Sequence, residues 1–108
     1  MKQSPIVDQM FEKDAFSQWL GIERIEDGPG FATLKMTVRS EMLNGFGIAH
    51  GAITYALADS ALAFASNAHG RQALSIETSI SHLLPLKEGD QLHTEVEEIS
   101  LQHRIALY

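Results

Sequence analysis

Cysteine is absent from this 108-residue chain, and its absence removes disulfide frameworks, thiolate nucleophiles and cysteine zinc sites together. Any chemistry must come from carboxylates, histidines, hydroxyls or the backbone. Basic residues are scarce: eight Lys+Arg stand against fourteen Asp+Glu, a formal charge of −6, which repels phosphate backbones and anionic headgroups. Nucleic acid is therefore not an expected partner. Long apolar runs are missing too. The opening MKQSPIVDQMFEKDAFSQWL mixes charges among apolar residues and does not read as a signal peptide. The most apolar stretch, residues 52–68, has Asp59 at its middle and falls short of the roughly 20 helical residues that span a bilayer. A cytoplasmic protein without a membrane partner is expected.

Motif absences narrow the chemistry further. Gly45-x-Gly47 lacks the rest of G-x-G-x-x-G and any preceding βαβ pattern, which argues against a dinucleotide cofactor. No G-x-S-x-G marks a serine hydrolase. His69, His82, His93 and His103 show no H-E-x-x-H or comparable spacing, so they read as surface or strand residues and no metal is expected. Neither cofactor nor metal enters the reading.

What is present suits one domain over residues 1–108, with 44% hydrophobic and 20% charged residues. Ser4-Pro5 has the form of a helix start, and apolar residues at Ile6, Met10, Phe11, Ala15, Phe16, Trp19 and Leu20 predict one amphipathic helix that Gly21 ends. Gly28-Pro29-Gly30 marks a turn. From Phe31 the chain alternates, placing Ala32, Leu34, Met36 and Val38 on one face of a strand. NGFGIAHG (44–51) then leads into AITYALADSALAFASNA (52–68), apolar nearly all round and so expected to be an enclosed helix, with Gly70 as its end. Residues 72–84, 90–101 and 103–108 have strand composition, and the parity change near Glu97-Glu98 suggests a bulge or bend. An antiparallel sheet wrapped around one central helix satisfies this order.

Two residues stand out chemically. Asp59 lies among Leu57, Ala58, Ala61 and Leu62, where desolvation would push a carboxylate towards the range useful to a general base, unless it is simply a satisfied buried Asp. Gly51 sits where the loop becomes helix, so its N–H, unobstructed by a side chain, could polarise a carbonyl, although a glycine there also serves close packing. The two are eight residues apart, about 12 Å along a helix and roughly 80° around it. They cannot meet on one carbonyl within one straight helix. Two antiparallel copies of the helix about a two-fold axis would bring Asp59 of one to Gly51 of the other, so a catalytic reading predicts an obligate dimer.

The segments LGI (20–22), GPG (28–30) and MLNGFGIAHGAITYALADSALAFASNAHG (42–70) resemble the hot dog fold acyl-CoA thioesterases, most closely the phenylacetic-acid-pathway (PaaI-type) branch. The family pattern is a loop Asn, His-Gly-Gly and Leu-Ala-Asp, matched by Asn44, His50-Gly51-Ala52 and Leu57-Ala58-Asp59, with Ala52 in place of the second Gly. The resemblance implies an α+β hot dog fold with a short N-terminal helix, an acyl-CoA substrate carrying an aryl-acetyl or medium-chain group, and a homodimer that can pair into a tetramer. It also implies roles: Gly51 N–H on the thioester oxygen, Asp59 of the partner subunit as general base or nucleophile, Asn44 and His50 beside the thioester, and Ser75 holding the attacking water. Arg71, Lys87 and Arg104 are candidates for CoA phosphates. The other readings are a hot dog hydratase or dehydratase and a non-catalytic acyl-CoA binder. Relatives in this family carry a further strand, and Ile105-Ala106-Leu107-Tyr108 ends in apolar strand-like sequence. A truncated domain lacking its last strand, with an unpaired or neighbour-covered sheet edge, is expected.

Overall fold

The computed structural model describes residues 2–108. The N-terminal pattern folds as two helices, α1 (Pro5–Glu12) and α2 (Ala15–Leu20), where one was expected. Asp14 is the reason: its carboxylate accepts the Ser17 N–H at 3.0 Å and caps a new helix, a use of Asp that competes with a helix-interior position. The expected ends are both present. Ser4 caps α1 through Oγ with Pro5 in the first turn, and Gly21 closes α2 at φ 77°.

Two antiparallel strands follow, β1 (Glu23–Gly28) and β2 (Phe31–Thr37), then a single 3-10 turn at Ser40–Met42 and helix α3 (Gly51–Asn67). β1 was not expected, because Glu23-Arg24-Ile25-Glu26-Asp27 carries one apolar residue. β2 has the predicted face: Ala32, Leu34 and Met36 are buried, as is Val38 just beyond its end. β3 (Gln91–Glu97) pairs with β2 in unbroken register from Phe31↔Glu97 to Thr37↔Gln91, giving a three-stranded sheet in the order β1-β2-β3. The last expected strands are short: β4 (Ser100–Leu101) and β5 (Ala106–Leu107) form a separate two-stranded ribbon. The strand ends at Glu97 and the chain bends at Ile99, beside the position where the parity changes, so the irregularity is a bend and the β2-β3 ladder carries no bulge.

α3 lies on the sheet by one face. Ile53, Leu57, Ala61, Phe64, Ala65 and Ala68 are buried with the β2 residues and with Val7, Leu20 and Ile22, a three-to-four spacing that makes one apolar stripe. Phe64 meets Phe11 edge to face, 6.1 Å between centroids. The enclosed helix expected from composition is therefore half covered in the single chain, and Gly51, Ala52, Tyr55 and Asp59 lie exposed on the other side. The sheet reaches only as far as β3.

Residues 72–84, expected to be a strand, run without a ladder partner, with Leu74, Ile76, Leu83 and Leu84 exposed. Their composition favours a strand, but a strand exists only beside another, and a cleft of about 960 Å³ separates this segment from β3 and the β4-β5 ribbon. Its two sides are mixed, with Leu74 and Ile76 beside Ser75 and Glu77 on one and Val96 and Leu101 beside Glu95 and Glu97 on the other.

Candidate active site

Each α-helix begins with backbone N–H groups that have no partner inside the helix. At the start of α3 three of four are accounted for. His50 N–H donates to Met42 O at 2.8 Å, Ala52 N–H donates to His50 Nδ1 at 3.2 Å, and Ile53 N–H donates to His50 O at 2.9 Å. Gly51 N–H has no acceptor among the described residues. A single free donor thus stands at the positive end of a 17-residue helix, the arrangement that suits a developing negative charge.

The loop before it is held by Asn44. Its Oδ1 accepts Phe46 N–H at 2.9 Å and Ile48 N–H at 3.4 Å, its own N–H donates to Ile48 O at 2.8 Å, and Gly47 takes φ 80° to close the turn. Here glycine is required, since a side chain disfavours that conformation. A bridge between Leu43 and Ala49 then returns the chain to α3. Asn44 and His50 therefore shape the approach to Gly51, Asn44 through the loop and His50 through the cap.

Asp59 is placed otherwise than burial reasoning predicts. Its carboxylate is exposed and, among the described residues, bonds to no protein group. The desolvation expected of it is absent in the single chain, because the face of α3 that carries it is not the one packed on the sheet. Asp59 and Ser75 line the same cleft, together with Tyr55. Asn44, His50 and Gly51 cluster at the N-terminal end of α3 and do not line it. Within one chain the free donor and the carboxylate therefore stay apart, one at the start of α3 and the other on its uncovered face.

Of the basic residues considered for phosphates, Arg71 and Arg104 border the cleft, and Arg71 Nη1 donates to His103 O at 3.2 Å. Lys87 lies in the turn before β3, where its N–H donates to Asp90 Oδ2 at 2.9 Å. At the far end of α3, His69 Nε2 lies 2.7 Å from Glu98 Oε1, which also accepts the Tyr108 hydroxyl at 2.9 Å. The bond to His69, and then that to Tyr108, holds Glu98 below the usual carboxylate range. Burial, followed by the bond to Glu98, pushes Tyr108 up to about 12. This clasp ties the end of the chain to the helix. No cluster of His, Asp and Glu suited to a metal occurs among the described residues, and no helix among them is long and apolar enough to cross a membrane.

Sequence reasoning missed His82, whose ring lies over Gly51: a Cβ added to Gly51 would meet His82 Nε2 at 3.3 Å. No spacing signal could have found it, since residues 51 and 82 come together only through the unpaired segment after α3.

Comparison with known proteins adds the following. The thioesterase superfamily model matches residues 46–108. A putative esterase of Archaeoglobus fulgidus is 38% identical over 103 residues, covering 95% of this chain and 67% of its own. Acyl-coenzyme A thioesterase PaaI of Escherichia coli is 42% identical over 83 residues, covering 77% of this chain and 59% of its own. The structure of the E. coli PaaI protein from the phenylacetic acid degradation operon superposes with a TM-score of 0.87 at 36% identity, over 90% of this chain and 70% of that one. This chain thus spans between 59% and 67% of the length of these two curated relatives.

Proposed function

The chain belongs to the thioesterase superfamily and has its hot dog fold, and from that premise we propose that it hydrolyses the thioester of an acyl-CoA. The observation that carries the reading is the single free N–H at the start of α3, that of Gly51. A donor aimed at the position of an oxyanion is worth about 10²–10³ in rate. The resemblance at Asn44, His50, Gly51 and Asp59 supports placing the thioester oxygen there.

Asp59, eight residues along α3, is about 12 Å from that donor by helical rise. Its exposure on the uncovered face supports a second copy laid antiparallel across α3, so that Asp59 of the partner subunit reaches the carbonyl bound at Gly51. The carboxylate takes a proton from water as the water oxygen attacks the carbonyl carbon. The oxyanion then collapses, the C–S bond breaks, and the proton passes from Asp59 to the departing sulfur, leaving a carboxylic acid and a free thiol. Ser75, on the same cleft as Asp59, is proposed to hold the water. The assembly is a homodimer able to pair into a tetramer, working in the cytoplasm without cofactor or metal.

The operon named for one relative makes aryl-acetyl groups the first substrates to test, with medium-chain acyl groups, which the resemblance implies, tested beside them. The purified protein is expected to release thiol from members of a CoA-thioester panel, and to scatter light as at least a dimer. Loss of a hydroxyacyl or enoyl group without free thiol would instead favour a hydratase or dehydratase. Tight calorimetric binding with no product over hours would favour a non-catalytic binder.

A further inference from the structure

His82 lies in the unpaired segment between α3 and β3, and its ring folds back over the first turn of α3. Its Nδ1 lies 3.3 Å from Thr54 Oγ1, and that hydroxyl lies 3.0 Å from Gly51 O. A threonine hydroxyl has one proton. Donated to the nearer carbonyl, it leaves Oγ1 to accept from Nδ1–H, and a neutral imidazole protonated at Nδ1 carries its lone pair on Nε2. Nε2 has no protein partner among the described residues and is the atom closest to the space where a Gly51 side chain would be.

A free acceptor therefore stands against Gly51, on the side where a Cβ would be, and the N–H of that residue is free as well. The two unmet groups suit a ligand that presents an acceptor and, a short distance away, a donor. An acyl thioester of coenzyme A has both: the thioester oxygen, and an amide N–H two methylenes beyond the sulfur. Resting on the thioesterase reading, we propose that His82 Nε2 accepts that amide N–H and makes the site selective for thioesters of the pantetheine type over simple alkyl thioesters. Thr54 is the positioning residue, because its hydroxyl sets which ring nitrogen carries the proton.

The test compares two substrates with one acyl group: the N-acetylcysteamine thioester, which keeps the amide, and the thioester of an alkanethiol of equal length, which lacks it. In His82→Phe the ratio of kcat/KM between them is expected to fall about 3–10-fold, the size of one neutral hydrogen bond, through a higher KM for the amide substrate. Thr54→Val should shift the ratio in the same direction, and Thr54→Ser should restore it. Circular dichroism checks the fold of each variant. An unchanged ratio in folded His82→Phe overturns the proposal while leaving thioester hydrolysis standing. A parent protein that releases thiol from neither these substrates nor the CoA panel overturns both.

Discussion

Asp59→Asn is expected to lower kcat for CoA-thioester hydrolysis by at least 10²-fold, the lower end of what a positioned general base contributes, while leaving the fold intact. The side chain is exposed and bonds to no described protein group, so its replacement removes no packing or buried hydrogen bond. Turnover within about threefold of the parent would remove Asp59 from the mechanism. A second variant tests the shared site. Gly51→Pro deletes the free N–H but suits the first helical position, and the preceding His50 already has the extended backbone (φ −61°, ψ 137°) that proline requires. Each variant alone should be nearly inactive. Mixed after subunit exchange, half the dimers carry one intact site of two, so about a quarter of the parent activity should return if the sites are composite. No recovery, with exchange demonstrated by mass, would place both residues' work within one chain.

How much of this was legible in the sequence depends on how local each interaction is. The caps at Ser4 and Gly21 and the buried face of β2 were readable because each rests on residues a few positions apart. Asp14 broke the first helix because a short carboxylate three residues before Ser17 serves better as a cap, a competition that apolar spacing does not register. β1 escaped notice since its most buried side chain is Asp27, polar in composition yet fully enclosed. Segment 72–84 has strand composition and stays unpaired, because pairing depends on what lies across the cleft.

The site divides in the same way. Gly51 was visible as a glycine at a loop-to-helix junction, and its exclusive freedom came only from the bonds that His50 makes on either side. Asp59 was conspicuous for polarity among apolar residues, but the inference of burial failed, because the stripe Ile53, Leu57, Ala61, Phe64 already suffices to seat α3 on the sheet. The uncovered face that carries Asp59 is the one the proposed second subunit would cover. His82 and Thr54 lie 28 residues apart, beyond any periodicity.

Asp27→Ala is expected to cost about 3–5 kcal/mol of stability, the penalty for leaving a buried charge without its partner. Asp27 is fully enclosed, and its carboxylate grips Arg24 twice, Nε at 2.7 Å and Nη2 at 2.9 Å, while accepting the Ser4 N–H at 2.8 Å. Arg24 is itself 8% exposed, and its guanidinium is held above its ordinary range first by the hydrogen bond to Asp27. Its remaining carboxylate partner, Asp8, is 58% exposed, and a surface carboxylate compensates a buried guanidinium by only about 0–1 kcal/mol. The loss would fall on α1. Asp27 holds the cap residue Ser4 and receives the chain at Lys2 O through its own N–H, and behind them Val7 is wholly buried. For a domain whose total stability is about 5–15 kcal/mol, this would bring unfolding close to ambient conditions. Urea denaturation of Asp27→Ala, Arg24→Met and the double variant Arg24→Met/Asp27→Leu separates charge from packing. The double variant should be less destabilised than Asp27→Ala, because removing both charges leaves only the Ser4 N–H unmet, at about 1–3 kcal/mol. A cost below about 1 kcal/mol for Asp27→Ala would mean that water reaches Arg24 once the carboxylate is gone, and that the pair does not anchor α1.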